Sequence, residues 1–577
     1  MTFRRSTLVF IPLAFLGIVF FYPLATIAAR GLAPDGALDL SAFGRIVASP
    51  FYLDTLWFTF WQAAVSTLLT LLAALPAAYV FARYTFRGKT LIRALTTIPF
   101  VLPTVVVASA FTALVGTRGW INELLKRLLN VDYAPLDIQN TIWIILLAHV
   151  FYNFTIVLRI VGGFWSNLDP QVTAAARVLG ASRWRAFREI TLPLLRPAIL
   201  AATLLVFLFD FTSFGVILIL GGPQFNTLEV AIYRNTQITF DLPMATALAL
   251  VQLGCTFAMT SIYARLQARA SLPLDVRPQR NTQKRPSTRR AKILVALVVA
   301  SMLALLLSPL TALIARSLFN ESGLSFDYYV NLATNPRGSV LFVPPLAAIG
   351  NSLLIAAGTM VIALGVGVVA AYGSLGDRNG QIGVGEIGVG RIGVGPLRSA
   401  TGVFERRLLQ RIYEPMLMLP LGASAVTLGF GFLIGLPGLR SSPVLLPLAH
   451  SLVAFPFVVR TITPALRSIR ASLREAAAVM GADAWRVWRE VDLPIVGRAL
   501  LVGGAFAFAV SLGEFGATAL ITRAETPTLP YAIFRYLSQP GSLNYGQAMA
   551  MSTLLMLVVS IGLIGIERFR FGEVGEF

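Results

Sequence analysis

The sequence predicts an all-α, polytopic membrane protein of about twelve transmembrane helices in two parallel six-helix halves. Three observations carry that expectation: an apolar excess, its arrangement in span-length runs, and a repeat held at one offset. Of 577 residues, 56% are hydrophobic and 13% charged. A soluble chain of this length divides into domains with far more polar surface. The surplus apolar side chains need an apolar solvent, and the bilayer supplies one.

The runs come in chain order. Leu8 to Ala29, Leu56 to Ala82, Ala198 to Leu220 and Ile293 to Ala315 are nearly uninterrupted, and Ile142 to Phe164 is comparable despite His149, Asn153 and Arg159. Each exceeds the roughly 20 residues that cross about 30 Å of hydrocarbon. Further runs near 92–115, 245–264, 346–374, 412–435, 442–462, 500–522 and 547–566 complete the set, with Pro437 and Pro443 crowding the ninth and tenth. The first run follows Arg4 and Arg5 but outlasts a signal-peptide core of roughly 7–15 residues, so a retained span is expected.

The net charge of +20 suits either a nucleic-acid binder or a positive-inside membrane protein, and location decides. Arg83, Arg87, Lys89 and Arg93, then Arg177, Arg183, Arg185 and Arg188, fall in alternate loops. The central stretch adds nine more basic residues, from Arg265 to Lys292, against the single acid Asp275. The intervening loops carry mixed charge. This bias places both termini in the cytoplasm and needs no nucleic acid. The only cysteine, Cys255, lies in an apolar run, so neither an internal disulfide nor a multi-thiol metal site is available.

Residues 180–193, GASRWRAFREITLP, and 481–494, GADAWRVWREVDLP, agree at 8 of 14 positions. The same 301-residue offset pairs His149 with His450, Arg159 with Arg460, Gly215 with Gly516, Thr227 with Thr528 and Arg234 with Arg535. A register kept over so long a stretch marks a duplication. Six spans per half is an even number, so the halves share one orientation and face each other across a pseudo-twofold axis along the membrane normal. The expected organisation is a first half over 1–266, a basic linker over 267–291 and a second half over 292–577. Three IGVG repeats make 376–397 a Gly-rich cytoplasmic insertion expected to be disordered.

The repeated loop segments, 169–193 and 470–494, carry the chemistry. Asp169-Pro170 is a helix start signal, an N-cap followed by Pro at the first turn. Ala174, Ala175 and Ala176, matched by Glu475, Ala476 and Ala477, leave a small-residue face. Gly180 and Gly481 suit a positive-φ helix end. Then Ile190, Leu192 and Pro193, matched by Val491, Leu493 and Pro494, lead into the next span. A surface amphipathic helix anchored by Trp184 and Trp485 is the alternative reading.

This pattern resembles the cytoplasmic signature of ATP-binding cassette importer permeases: Glu-Ala-Ala, three residues, Gly, nine residues, Ile, any residue, Leu-Pro. The second copy fits it with Glu475, and the first has Ala174 in place of the acid. The resemblance covers essentially the whole chain and is to the fused two-half subgroup that serves thiamine or ferric iron. It implies the type I importer permease fold in a bacterial cell inner membrane. The repeated segments would then be coupling helices docked on two copies of a cytoplasmic ATPase, and an extracytoplasmic solute-binding protein would deliver cargo. ATP and Mg would be bound by that partner ATPase, leaving this chain no cofactor, no metal and no catalytic residue of its own. Arg87-Gly88-Lys89-Thr90 carries only the tail of a phosphate loop, since the required earlier glycine is Arg83.

Ionisable groups inside the bilayer are costly and face a bundle interior or a pathway. Asp210 and Glu514 lie in the fifth spans, with Ser213 aligned to Glu514. They read either as pathway groups favouring a cation or as hydrogen-bonded acids stabilising the bundle. As ion carriers they would suit an alternative function, a gradient-driven secondary transporter, which does not need the repeated loop motif. His149 and His450, at equivalent positions of the fourth spans, read either as pathway groups, a paired ligand site, or as helix-packing side chains; packing is the expectation, because two imidazoles alone make a poor hard-metal site.

Overall fold

The computed structural model describes residues 5–33, 36–270, 283–320, 323–334, 345–375, 412–523 and 526–570. The Gly-rich insertion and residues 271–282 of the linker lie outside the described residues. Eleven described helices are long and apolar enough to cross a bilayer, or up to twelve if a pair bent by 96°, Glu414–Gly422 and Ala425–Gly435, is one span. Helices close their own backbone hydrogen bonds, which lipid requires.

The first half runs α1 (Leu8–Leu32), α2 (Pro50–Arg83), α3 (Lys89–Val101), α4 (Thr104–Val115), α5 (Ile142–Asn167), α6 (Pro170–Val178), α7 (Leu192–Phe211), α8 (Gly215–Leu220), α9 (Leu228–Gln237) and α10 (Leu242–Ala270). The second runs α11 (Arg289–Leu318), α12 (Pro345–Gly373), α13 (Ala425–Gly435), α14 (Leu445–Ser468), α15 (Ala471–Val479), α16 (Leu493–Gly513), α17 (Gly516–Ile521), α18 (Leu529–Leu537) and α19 (Ser542–Arg570).

Several expected spans are broken. The run at 92–115 divides at Leu102–Pro103, where Pro lacks the donor a continuing helix needs, and the span-length segment there is Thr104–Leu129, displaced toward the C-terminus of the expected run. The ninth run divides at Ala423–Ser424, short of Pro437 and Pro443: the Ser424 hydroxyl accepts from the Val426 and Thr427 amides and starts a new helix. Both fifth runs, 198–220 and 500–522, also divide, into α7 with α8 and α16 with α17. The sequence there has no proline and gave no warning.

The chain forms two compact units that do not coincide with the duplicated halves. One holds Met1–Thr26, Leu353–Ser511 and Gly562–Phe577, and the other holds Ile27–Ser352 and Leu512–Ile561. The opening helices are exchanged, and α17, α18 and most of α19 of the second half also belong to the unit that holds most of the first half. In the first unit, α1 packs on α14, with the Phe15 and Phe455 rings 5.7 Å apart. In the second, α11 lies against α4 and α2 of the first half.

Within each unit, small residues set the packing, because lipid gives apolar side chains little reason to prefer a helix. In the second unit α5 packs on α2 and α7, facing a stripe of α2 that includes Thr59, Ala63, Ser66, Thr70, Ala74 and Ala78, all buried. The Thr59 and Thr70 hydroxyls donate to carbonyls one turn back, so they enter the interior satisfied. In the first unit a methyl added at Gly367 would sit 2.6 Å from Val458, so α12 and α14 approach at a place only glycine allows. Outside the spans of the second unit, Arg45 reaches Asp241 at 2.9 Å and holds its carboxyl below the usual range.

Candidate functional site

The repeated loops fold alike. In the first, the Asp169 carboxylate accepts from the Gln171 amide and starts α6. The helix ends when Gly180 takes φ +92°. The Ala181 amide then donates to Ala176 O at 3.0 Å and the Gly180 amide to Arg177 O at 3.1 Å. In the second, Gly481 takes φ +83°, Ala482 donates to Ala477 O at 3.0 Å and Gly481 to Ala478 O at 3.0 Å. This pair of bonds is the Schellman end, with glycine at its left-handed position.

Each turn exposes an apolar pair that the sequence pattern did not single out. Val178 and Leu179 are 87% and 88% exposed, and Val479 and Met480 are 89% and 81%. They stand beyond the alanines, of which only Ala477 is buried. The signal was available, since both pairs sit directly before the aligned glycines. Behind them, Trp184 stacks on Phe187 and Trp485 on Trp488, with ring centroids 5.7 and 4.8 Å apart. A one-turn π-helix, Phe187–Thr191 or Trp488–Asp492, carries the chain into the fifth span. Ile190 and Val491 are half-buried within it, and Leu192-Pro193 and Leu493-Pro494 open α7 and α16.

The braces behind the two turns differ. Arg474 of α15 pairs with Asp492 at 2.7 Å, their side chains only 10% and 6% exposed, and the Tyr372 hydroxyl donates to the same carboxylate at 2.9 Å. The aligned residues of the first half are Thr173 and Thr191, whose hydroxyl oxygens stand 3.4 Å apart. Glu475, the acid of the signature, is exposed beside this brace, as is Ala174 at its counterpart.

The acids of the fifth spans lie at the helix breaks. Asn153 donates to the Asp210 carboxylate at 2.7 Å, and Gln62 donates to the Asp210 carbonyl at 2.8 Å, satisfying an oxygen at the end of α7. His149 lies between Ser66, Ser213 and Asp210 at 2.9, 2.8 and 3.5 Å. The Glu514 carboxylate accepts from the Ala517 and Thr518 amides and caps α17. His450 meets the Ser511 hydroxyl at 2.8 Å, which in turn reaches Thr359. The acid positions are thus exchanged between halves: Asp210 aligns with Ser511, and Ser213 with Glu514. Each histidine meets serine hydroxyls, His149 those of Ser66 and Ser213 and His450 that of Ser511. Among the described residues, no cluster of three or more His, Cys, Asp or Glu side chains is present.

At the same breaks stand rings that the sequence pattern passed over. Phe214 stacks on Phe515, centroids 5.5 Å apart and planes 25° from parallel. Tyr233 flanks the first ring at 5.4 Å and Phe534 the second at 5.4 Å.

A protein-family model described as "Binding-protein-dependent transport system inner membrane component" matches residues 72–272 and 396–569, once in each half. The thiamine transport system permease protein ThiP of Escherichia coli (strain K12) is 28% identical over 516 residues, 87% of each chain. Its namesake in Brucella abortus (strain 2308) is 29% identical over 526 residues, 89% of this chain and 88% of that relative. The putative 2-aminoethylphosphonate transport system permease protein PhnU of Salmonella typhimurium is 26% identical over 263 residues, where 45% of this chain spans 92% of that relative. A little under half of this chain's length thus corresponds to nearly the whole of a smaller relative.

Proposed function

From the premise that the chain belongs to the binding-protein-dependent transport system inner membrane components, we propose that it carries thiamine through a pathway between its duplicated halves. The chain is the membrane permease of an ATP-binding cassette importer, a multi-pass protein of the inner membrane whose family works with an ATPase and a binding protein. The observation that carries the coupling reading is the repeated short helix ended by a positive-φ glycine, with an exposed apolar pair beside it. Two copies of the ATPase, one for each copy of the segment, would bind ATP and Mg. Val178-Leu179 and Val479-Met480 would enter apolar grooves on them, and the alanines would allow close approach.

Closure of the ATPase pair then moves both turns. Because each continues through a π-turn into a fifth span, displacement of the turn displaces the helix break at its far end. The pathway opens alternately to either side, and this chain makes and breaks no covalent bond. The positive-inside bias supports placing both termini and both turns in the cytoplasm. Thiamine is favoured over ferric iron by the names of the long-coverage relatives and by the stacked rings at the helix breaks, which offer apolar faces to an aromatic solute.

The test is reconstitution of the permease with its ATPase and binding protein in proteoliposomes. Labelled thiamine is expected to accumulate only with ATP, the ATPase and the binding protein present. Uptake without the ATPase would overturn the coupling reading. ATP-driven uptake of another solute with no competition by thiamine would overturn the substrate.

A further inference from the structure

Phe214 and Phe515 occupy the same position of the repeat, 301 residues apart, and their rings touch. When two copies face each other about a twofold relation, a residue meets its own counterpart only at the axis. The flanking contacts obey the same relation, because Tyr233 aligns with Phe534 and each lies 5.4 Å from its own phenylalanine. A four-ring cluster therefore straddles the pseudo-twofold axis where both fifth helices are broken.

The surroundings show the cluster to be closed. Phe214 and Phe515 are only 6% and 2% exposed. A methyl at Gly215 would stand 2.4 Å from the Thr104 hydroxyl and 3.1 Å from the Phe515 ring, so the approach is as tight as glycine permits. Each phenylalanine is the residue just before the short distal helix, α8 or α17. Its placement therefore depends on the angle between the helix and its continuation. The π-turn, the fifth span and the break form one continuous path from each repeated glycine to each ring.

We propose that Phe214 and Phe515, flanked by Tyr233 and Phe534, are the gate of the translocation pathway, closed by stacking on each other and opened by yielding those faces to a flat aromatic cation. Ring faces carry negative potential and attract cations, and the stack shows that the site accepts a planar ring against either phenylalanine. A flat, positively charged heteroaromatic solute can replace each lost contact as the rings part. A hydrated metal ion or an anion cannot. The inference rests on the importer reading for the direction of transport and sharpens it by naming which groups the cargo touches.

The full importer in proteoliposomes tests both parts. Without ATP, F214A/F515A is expected to leak labelled glucose roughly tenfold faster than wild type, since an apolar constriction has lost its bulk. F214L/F515L keeps bulk without a π-face: its leak stays at the wild-type level while ATP-driven thiamine uptake falls roughly fivefold. An unchanged leak in the alanine pair overturns the gate, and full uptake by the leucine pair overturns the stacking role. Should the alanine pair fail to insert, F515C in a C255S background replaces it. Its thiol is expected to react with a methanethiosulfonate reagent roughly tenfold faster during turnover than at rest, as a constriction that opens requires, and equal rates overturn the gate. The glucose leak needs neither ATP nor thiamine. A wild type that ignores thiamine while its alanine pair leaks would therefore refute the substrate and leave the gate standing.

Discussion

The two repeated loop segments share a turn and differ in what holds it. Both end at a glycine near φ +90°, with the same two backbone bonds and an exposed apolar pair. Behind the second lies a buried ion pair tied to Tyr372, and behind the first two threonine hydroxyls at 3.4 Å. Duplication therefore preserved the backbone device and left the side chains behind it free to diverge. Under the coupling proposal, a moving part must present one shape to its partner at each copy, whereas its attachment need only be firm.

The glycines should give the largest effect, because they are what the two copies share. Nothing lies within 4 Å of a methyl placed at either, so a side chain there meets no neighbour and acts by driving the backbone out of the left-handed region, which undoes the turn itself. Changing Glu475 and Gly481 together, E475A/G481V, is expected to abolish uptake while the protein remains inserted, and G180V should impair it similarly through the other copy. Normal uptake by both variants would show that the shared turn is not the coupling element.

The brace comes next. Removing one partner of a buried ion pair leaves an uncompensated charge, at a cost of about 3–5 kcal/mol. Asp492→Ala should therefore lower the thermal stability of the detergent-purified protein and cut uptake by clearly more than about twofold, because the second turn loses its buried attachment. Thr191→Ala, at the matching position, should change either by less than about twofold, the loss of a weak hydroxyl contact. The double change R474T/D492T copies the first-half arrangement and should recover most of what Asp492→Ala loses. Equal sensitivity at Asp492 and Thr191 would erase the distinction between the halves.

What the sequence made legible follows from which constraints are local. A span must be about 20 apolar residues long, so most of the crossing segments could be counted directly. The turns were legible because the left-handed region selects glycine, and Gly180 and Gly481 stand out in an aligned repeat. The breaks in the fifth spans were hidden because Phe211-Thr212-Ser213 carries no residue that forbids a helix. Gln62 and Asn153, more than 50 residues away in sequence, satisfy the groups that the break exposes. The exchange of opening helices was hidden for a similar reason, as α11 is equally apolar whichever bundle it joins. The same distance concealed the ring stack, although equal ring types at equal offsets were a usable sign of it.

The smallest difference lies at the helix starts. Asp169 caps α6 with its carboxylate, whereas Arg470 stands at the start of α15 without a side-chain cap. Asp169→Ala should cost about 1 kcal/mol of local helix stability, the usual price of a lost cap. Arg470→Asp should add a similar amount, helped by the favourable charge at a helix N-terminus. Amide hydrogen exchange over 170–180 and 471–481 reads both: faster in the first variant, slower in the second, about fivefold each way. Because α15 already has the Arg474–Asp492 brace on its inner side, the added cap should raise protection without raising uptake. If uptake rose with it, fraying of the second segment would be limiting transport, and the brace would be weaker than its buried geometry implies.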